Sequence, residues 1–417
     1  MKRRHFLTLS AGLSAHALLP LDRLQASVQN QIGSQNRTGS SFDAIVLGVG
    51  SMGSSTCAFL TRRGYRVLGL EQFDIPHELG SHTGQSRIIR MAYAEHPDYV
   101  PLLVRAYENW KALEEQSGSK VYYKTGLVYF GKPTDATMKG VHESANKYRI
   151  EVNTLSEDET ARKYPQFRLP PGYERLEEPN AGFVTPERAI LLFTDQALRH
   201  GATILTKTKV SEWKRDGGAI TVRTSRGDFS CKKLIITAGA WAGKMIPGLA
   251  SRLRVTRQVI AWMKPKEWDP FALGRFPCWV VDQFYGFPIL PVGTFGGPVG
   301  LKLARHFPGA ESDPDHLDRT PTPADERELI DALNTFIPDA YSATHVMKVC
   351  MYTNTPDENF ILDYLPGFDK DVVVAAGFSG HGFKFSSVVG EIMADLAMNG
   401  GTSLPIGFLS ARRFVKQ

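Results

Sequence analysis

Two kinds of residue group in this chain could do chemistry. The first is spaced by glycines. Gly48-Val49-Gly50-Ser51-Met52-Gly53 follows the apolar run Ala44–Leu47 and opens a helical pattern, and Glu71 ends a second apolar run 18 residues past Gly53. Gly48 permits a tight turn, Gly50 lets the backbone approach a pyrophosphate, and Gly53 lets helix and strand pack closely. The phosphates would meet free N–H groups at the helix start, and Glu71 can accept from a ribose diol. With 38 glycines in 417 residues a bare G-x-G-x-x-G arises by chance about 0.3 times, so the flanking strand, helix and acid carry the assignment to a dinucleotide. FAD and NAD both use this unit, and the motif does not choose between them. The second group is cationic: Arg87 and Arg90, three apart behind a turn-rich stretch, and His381 and Lys384 at the start of a C-terminal helix. The arginines could enter one site or form a solvated face. The helix start, with no nearby acid, offers a positive end to an anionic group.

Four cysteines, at positions 57, 231, 278 and 350, show no metal spacing and no regular disulfide framework. Cys57, Cys231 and Cys278 read as core thiols. A Cys231–Cys278 disulfide stays open for an exported chain. Cys350, alone on a strand pattern, reads by position as one more core residue.

The elements that must position these groups alternate. Residues 98–116 carry a helical apolar stripe, 121–130 a strand pattern, Pro186–His200 a helix, and Ala202–Leu205 and Lys232–Thr237 strands. From 253 to 303 the chain is strand-rich (Leu253–Met263, Trp279–Val281, Phe287–Leu290, Val299–Leu303), with 291–298 a loop by composition. A helix follows over 322–336, then strands Val346–Tyr352 and Asp371–Ala376, a glycine turn over 377–382 and a helix over Lys384–Met398. A nucleotide sheet resumed after long excursions gives α/β with α+β: a Rossmann-type domain of separated pieces, 42–95, 186–250 and 346–417, interleaved with a mixed-sheet substrate domain, 96–185 and 251–345.

At 417 residues and 42% hydrophobic content the chain can bury a large core. Half of the +6 net charge lies in residues 1–27, and no basic run interleaves with aromatics, which argues against a nucleic-acid partner. Lys2-Arg3-Arg4-His5-Phe6-Leu7 followed by a short, broken apolar stretch reads as an export leader over 1–27 of the twin-arginine kind. It implies the twin-arginine export machinery as a partner, a periplasmic or otherwise exported protein, cleavage near Ala26 and a linker over 28–41. No segment is apolar enough over a sufficient length to span a bilayer.

Gly80 to Arg90, Cys350-Met351-Tyr352-Thr353, Pro356-Asp357-Glu358 and Gly377 to Ser387 together resemble the monomeric sarcosine oxidase and N-methyltryptophan oxidase family, from about Phe42 to Phe414. The resemblance implies FAD held covalently through Cys350, with cofactor contacts from Gly48, Gly50, Ser51, Met52, Gly53, Glu71, Gln72, Ser81, Arg87, Ile88, Gly380, Gly382 and Lys384. It places Arg87 and Lys302 by the isoalloxazine ring, Lys302 assisting reaction with oxygen. Arg90 and Lys384 match the pair that holds the substrate carboxylate, and Tyr285, His306 and Tyr352 match the lining of the substrate pocket. The implied activity is oxidation of N-methyl or other secondary amino acids by a monomer, with hydride transfer to flavin, imine hydrolysis and reoxidation by oxygen to hydrogen peroxide. Four cations, Arg87, Arg90, Lys302 and Lys384, would favour the neutral amine that hydride transfer requires.

Thr83, Gln85, Ser86 and Asn359 depart from the His, Asp, Thr and His of the family pattern. The segment between Tyr285 and Lys302 is longer than in sarcosine oxidases and is expected near the substrate pocket, which favours a bulkier substrate as much as sarcosine. Two readings stay open beside the oxidase: a dehydrogenase of the same fold that hands electrons to a quinone or carrier protein, and a non-catalytic flavin-binding protein.

Overall fold

The computed structural model describes residues 20–35, 40–306 and 309–414. The leader expected over 1–27 falls largely on residues 1–19, outside the described residues.

The apolar run around Ile45 forms strand Ser41–Leu47, its last four residues all buried, as a strand covered on both faces must be. It pairs in parallel with Val67–Leu70 on one side (Ile45 opposite Leu68) and with Gly227–Ile236 on the other (Leu47 opposite Ile236). Thr203–Leu205 extends the sheet beyond Val67–Leu70, and Val372–Ala376 joins in parallel beside Leu234–Ile236. The strand expected over Lys232–Thr237 is therefore longer. Its first half pairs with a hairpin, Val210–Asp216 and Ala219–Thr224, which its weak apolar pattern had concealed. Helix Ser51–Arg62 leaves the glycine turn and packs against helix Ser386–Asn399. A Cβ on Gly390 would fall 2.6 Å from the backbone of Ser55, so the two axes approach where side chains are smallest.

A second sheet runs in the order Ala343–Asn354, Arg254–Lys264, Leu301–Arg305, Phe284–Gly286, Cys278–Val281, Leu127–Gly131, Glu174–Glu178 and Asn153–Thr154. Its side chains alternate across two faces. Ala261, Met263, Leu301 and Leu303 point into one core, while Ile260, Trp262, Ala304 and Cys350 cluster on the opposite face toward the first sheet. The two mixed α/β sheets are the architecture anticipated from the sequence.

The boundaries differ in four places. Strand Ala343–Asn354 pairs along its whole length with Arg254–Lys264, so it belongs to the second sheet rather than to the cofactor segment starting at 346. Helix Val100–Ser117 packs its buried face, Leu103, Ala106 and Trp110, into the core beneath helix Ser386–Asn399, so it belongs with the first sheet. The single strand expected over 121–130 is two, Tyr122–Lys124 and Leu127–Gly131, broken where Gly126 takes a φ of 72° and the chain passes from a small three-stranded sheet into the second one. The strand expected over Phe287–Leu290 lies earlier, at Phe284–Gly286.

The linker expected over 28–41 is also corrected. Leu21–Gly33 is a helix with Leu24 and Val28 buried, and Gln31 donates to Asp195 on helix Pro186–Arg199 at 2.8 Å. Gln35 accepts from the Ile204 N–H and donates to the Ala202 carbonyl, covering the open edge of the first sheet. The apolar stripe there, Leu21, Leu24, Val28 and Ile32, has helical spacing, but it is interrupted by polar residues and buries fully only Leu24 and Val28. Ala26, the expected cleavage neighbourhood, lies inside this helix. All four cysteines are free; Cys231 and Cys278 sit in separate cores. Among the described residues no helix is long and apolar enough to cross a membrane, and no metal-holding cluster occurs.

Candidate active site

At the glycine turn, Gly48 has a φ of 93°, and a Cβ there would lie 2.7 Å from the Thr237 carbonyl oxygen. A Cβ on Gly53 would overlap the Gly48 carbonyl oxygen at 1.8 Å, which is the close strand–helix packing expected of that position. Around Gly50 a Cβ would meet only the His82 ring, at 3.9 Å, so the backbone opens onto free space. Glu71 accepts from Val49 N–H at 2.9 Å and from Phe73 N–H at 3.0 Å. Burial pushes its carboxyl up to about 7 against the pull of these backbone donors.

This turn lines one end of a cavity of about 690 Å³. Of the residues singled out in the sequence, Gly48, Gly50, Ser51, Met52, Glu71, Gln72, Ser81, Arg87, Ile88, Arg90, Tyr285, His306, Cys350, Tyr352, Gly380, Gly382 and Lys384 line it. Gly53 and Lys302 do not. Residues 286–301, the segment between Tyr285 and Lys302 expected near the pocket, contribute nothing to its wall. Thr294 instead accepts from Arg188, and Phe295 packs on Tyr123 and Phe183.

Arg87 curls back on its own loop, donating to the carbonyls of Ser81, Thr83 and Ser86 at 2.6–2.9 Å. Cys350 lies beneath, buried against Ile260 and Trp262. Burial raises its thiol while the charges of Arg87, Lys302 and Arg319 pull it down. Lys302 is buried behind this wall, its ammonium donating to the carbonyls of Gly84 and Ser86, and burial lowers its pKa well below the ordinary lysine value, with the neighbouring charge of Arg87 adding to the effect.

Also in the cavity wall, Arg90 and Lys384 stand 5.2 and 5.1 Å from the Tyr93 ring centre. Arg90 is not a free cation: it donates to both carboxylate oxygens of Glu95 at 2.6 Å. Despite burial, the Glu95 carboxyl is held well below the usual carboxylate range by Arg90, with smaller help from Lys384. Lys384 donates to the His381 carbonyl, and burial together with Arg90 brings its pKa down to about 7, with Glu95 opposing. His381 donates a hydrogen bond from its Nε2–H to the Glu358 carbonyl at 3.0 Å and accepts one from the Tyr93 hydroxyl at Nδ1; burial lowers its pKa to about 3. It is neutral, so the positive end anticipated at this helix start rests on Lys384 alone, and Glu95 supplies the acid the sequence reading had not found there. The crowd of four uncompensated cations is corrected accordingly. Glu95 escaped notice because it is five residues from Arg90, across a non-helical turn whose shape no periodicity reveals.

His306, at the exposed mouth, meets the Tyr352 hydroxyl at 3.3 Å, with the Tyr285 ring 6.2 Å away. Gly380 has a φ of 79°, and a Cβ there would fall 2.2 Å from the Tyr352 ring, so only glycine lets the 377–382 turn reach the cavity.

These residues fit FAD. The open cradle at Gly50, the Glu71 carboxylate and a continuous cleft to Arg87 and Cys350 suit a dinucleotide, and the buried His82 Nε2 has no protein partner.

Residues 43–396 match the FAD dependent oxidoreductase family (DAO). Over 381 residues the chain is 37% identical to the monomeric sarcosine oxidase of Bacillus sp. (strain NS-129), spanning 89% of this chain and 97% of that protein. It is 32% identical over 381 residues to the N-methyl-L-tryptophan oxidase of Salmonella dublin, spanning 89% and 99%. The open form of NikD, described as an unusual amino acid oxidase essential for nikkomycin biosynthesis, has the same fold, with a TM-score of 0.79 at 24% identity over 89% of this chain and 98% of that one.

Proposed function

Because the chain belongs to the FAD-dependent oxidoreductase family, we propose that this flavin-dependent amine oxidase acts on N-methyl or other secondary amino acids and uses oxygen as its electron acceptor. The observation that carries the reading is the convergence of Arg90 and Lys384 on Tyr93, in the wall of the cavity that the glycine turn also lines. A planar guanidinium and an ammonium together can fix a carboxylate, the arginine in bidentate fashion. Sarcosine and N-methyltryptophan, the compounds for which the relatives are named, both present that group.

In this reading Gly48, Gly50, Ser51, Met52, Glu71 and Gln72 hold the nucleotide end of FAD, and Cys350 is the point of covalent attachment. Bound FAD supplies the two-electron acceptor for the amine carbon's hydride. The chain's own residues do the rest. Arg90 and Lys384 orient the substrate by its carboxylate, and Glu95 balances Arg90 until the substrate arrives. Tyr285, Tyr352 and His306 border the amine and limit access of water at the mouth. The loop at 291–298 stands away from the cavity, so the room for a side chain is set by Ala94, Ala136, Thr137, Val280 and Phe284. Lys302, set behind the cavity wall, would in its protonated form stabilise the charge that develops on oxygen during reoxidation. The basic start of the chain supports export by the twin-arginine route, with FAD taken up before translocation.

The test is an anaerobic titration of the purified flavoprotein with sarcosine, N-methyltryptophan, proline and pipecolate, followed by admission of air. Bleaching by one compound with rapid recovery and peroxide is the expected result. Bleaching with slow recovery would favour a dehydrogenase, and no bleaching by any of the four would remove the amine-oxidase reading.

A further inference from the structure

Lys302 is the one predicted catalytic residue that the cavity does not reach, and the reason lies in the turn that holds it. Its Nζ donates to the Gly84 carbonyl, to the Ser86 carbonyl at 2.6 Å and to the Ser86 hydroxyl at 3.2 Å, and it lies 4.5 Å from the Phe287 ring. The position of the ammonium is thus the position of two backbone carbonyls flanking Gln85. Gln85 takes a φ of 66°, a conformation unfavourable for a side chain with a Cβ, and is 7% exposed. Its side chain runs away from the lysine to two anchors on separate elements. The amide nitrogen donates to the Gly296 carbonyl in the turn Val292–Phe295 and beyond, and the amide oxygen accepts from Trp262 Nε1 at 2.8 Å on the strand next to Lys302. On the other side of the turn the Glu187 carboxylate accepts from the N–H groups of Gly84, at 2.7 Å, and Gln85, at 3.2 Å.

We propose that Gln85 is a positioning residue for Lys302: by pinning the Gly84–Ser86 turn to Gly296 and Trp262, it fixes the two carbonyls that hold the ammonium. Glu187 completes the device by drawing the amide side of the same turn toward the start of helix Pro186–Arg199, so that peptide dipoles connect a carboxylate to an ammonium. Two departures of this chain from the family pattern, a glutamine at position 85 and the longer segment between Tyr285 and Lys302, meet in a single hydrogen bond. The lengthened segment then serves the lysine rather than the substrate pocket, which accounts for its absence from the cavity wall. A residue that merely filled space would need neither anchor, and the amide of Gln85 satisfies both with its donor and its acceptor.

The test uses Gln85→Met, which keeps length and volume and removes both hydrogen bonds, and Trp262→Phe, which removes only the Nε1 donor. The holoenzyme is exposed to an amine-acylating reagent, and Lys302 and Lys384, both buried, are quantified by peptide mass spectrometry. Gln85→Met should raise the Lys302/Lys384 labelling ratio about fivefold and Trp262→Phe less, because local opening frees one lysine and not the other. General loosening would move both lysines together, and an unchanged ratio in both variants overturns the proposal. Stopped-flow measurement adds the consequence for catalysis, which rests on the oxygen role given to Lys302 above. Gln85→Met should slow flavin reoxidation about tenfold while changing reduction less than about twofold. If Lys302→Met slows reoxidation and Gln85→Met does not, positioning is refuted. If Lys302→Met itself leaves reoxidation unchanged, the oxygen role fails and the labelling ratio still decides the positioning.

Discussion

At the scale of single residues, the most direct consequence concerns Lys384. Its pKa of about 7 in the free protein reflects burial and the neighbouring Arg90. A bound carboxylate favours the charged form and pulls the value back toward that of an ordinary lysine. Above pH 7 the free site is therefore largely deprotonated, and binding a carboxylate takes up a proton. Calorimetric titration with benzoate at pH 8 in two buffers of different ionisation enthalpy should register an uptake approaching one proton, and in Lys384→Met none. Cys350 makes a second residue-scale prediction. Cys350→Ser should fold and bind FAD but lose it to the supernatant on acid precipitation, and flavin remaining in the pellet would place the attachment elsewhere. The sequence made Arg90, Lys384 and Cys350 visible as types, whereas their charge states depend on neighbours that spacing does not report. Glu95 and the Tyr93–His381 hydrogen bond emerge only when the chain from 87 to 95 folds against the turn at 377–382.

Among elements, the glycine unit was legible because each glycine answers a backbone requirement: Gly48 must turn at positive φ, and Gly53 must lie under a carbonyl. Helices with a full apolar stripe, such as Val100–Ser117 and Pro186–Arg199, were legible for the same reason that they are stable. The helix Leu21–Gly33 was not, since its stripe of Leu21, Leu24, Val28 and Ile32 is diluted by polar residues and its anchoring is completed by glutamine side chains reaching a neighbouring helix and a sheet edge. Deleting residues 20–35 should cost roughly 3–6 kcal/mol, the burial of Leu24 and Val28, measurable as a lowered denaturation midpoint. If the chain is exported and trimmed, the mature N-terminus should accordingly precede Leu21, and N-terminal sequencing of exported protein that began after Ala26 would contradict this.

For the molecule as a whole, alternation of strand and helix sufficed to recognise a nucleotide domain interrupted by a second sheet. The chain's weaving was harder to read. Strand Ala343–Asn354 and helix Val100–Ser117 were each placed with the wrong partner, because periodicity tells which face of an element is buried and not against what. Pairing of Ala343–Asn354 with Arg254–Lys264 is a long-range choice made by eleven matched positions between Arg254 and Asn354 at one end and Lys264 and Ala343 at the other.

That pairing has a mechanical corollary. Cys350 stands on the second sheet, while the glycine turn and Glu71 that would grip the other end of the cofactor stand on the first. A sulfur–flavin bond would make the prosthetic group a rivet through both halves of the molecule, one end chemical and the other a set of hydrogen bonds. Melting either half would then have to tear the rivet loose from the other. Scanning calorimetry of the native flavoprotein should give one sharp endotherm, and Cys350→Ser protein stripped of its non-covalent FAD two overlapping ones, the halves having lost their common fastener.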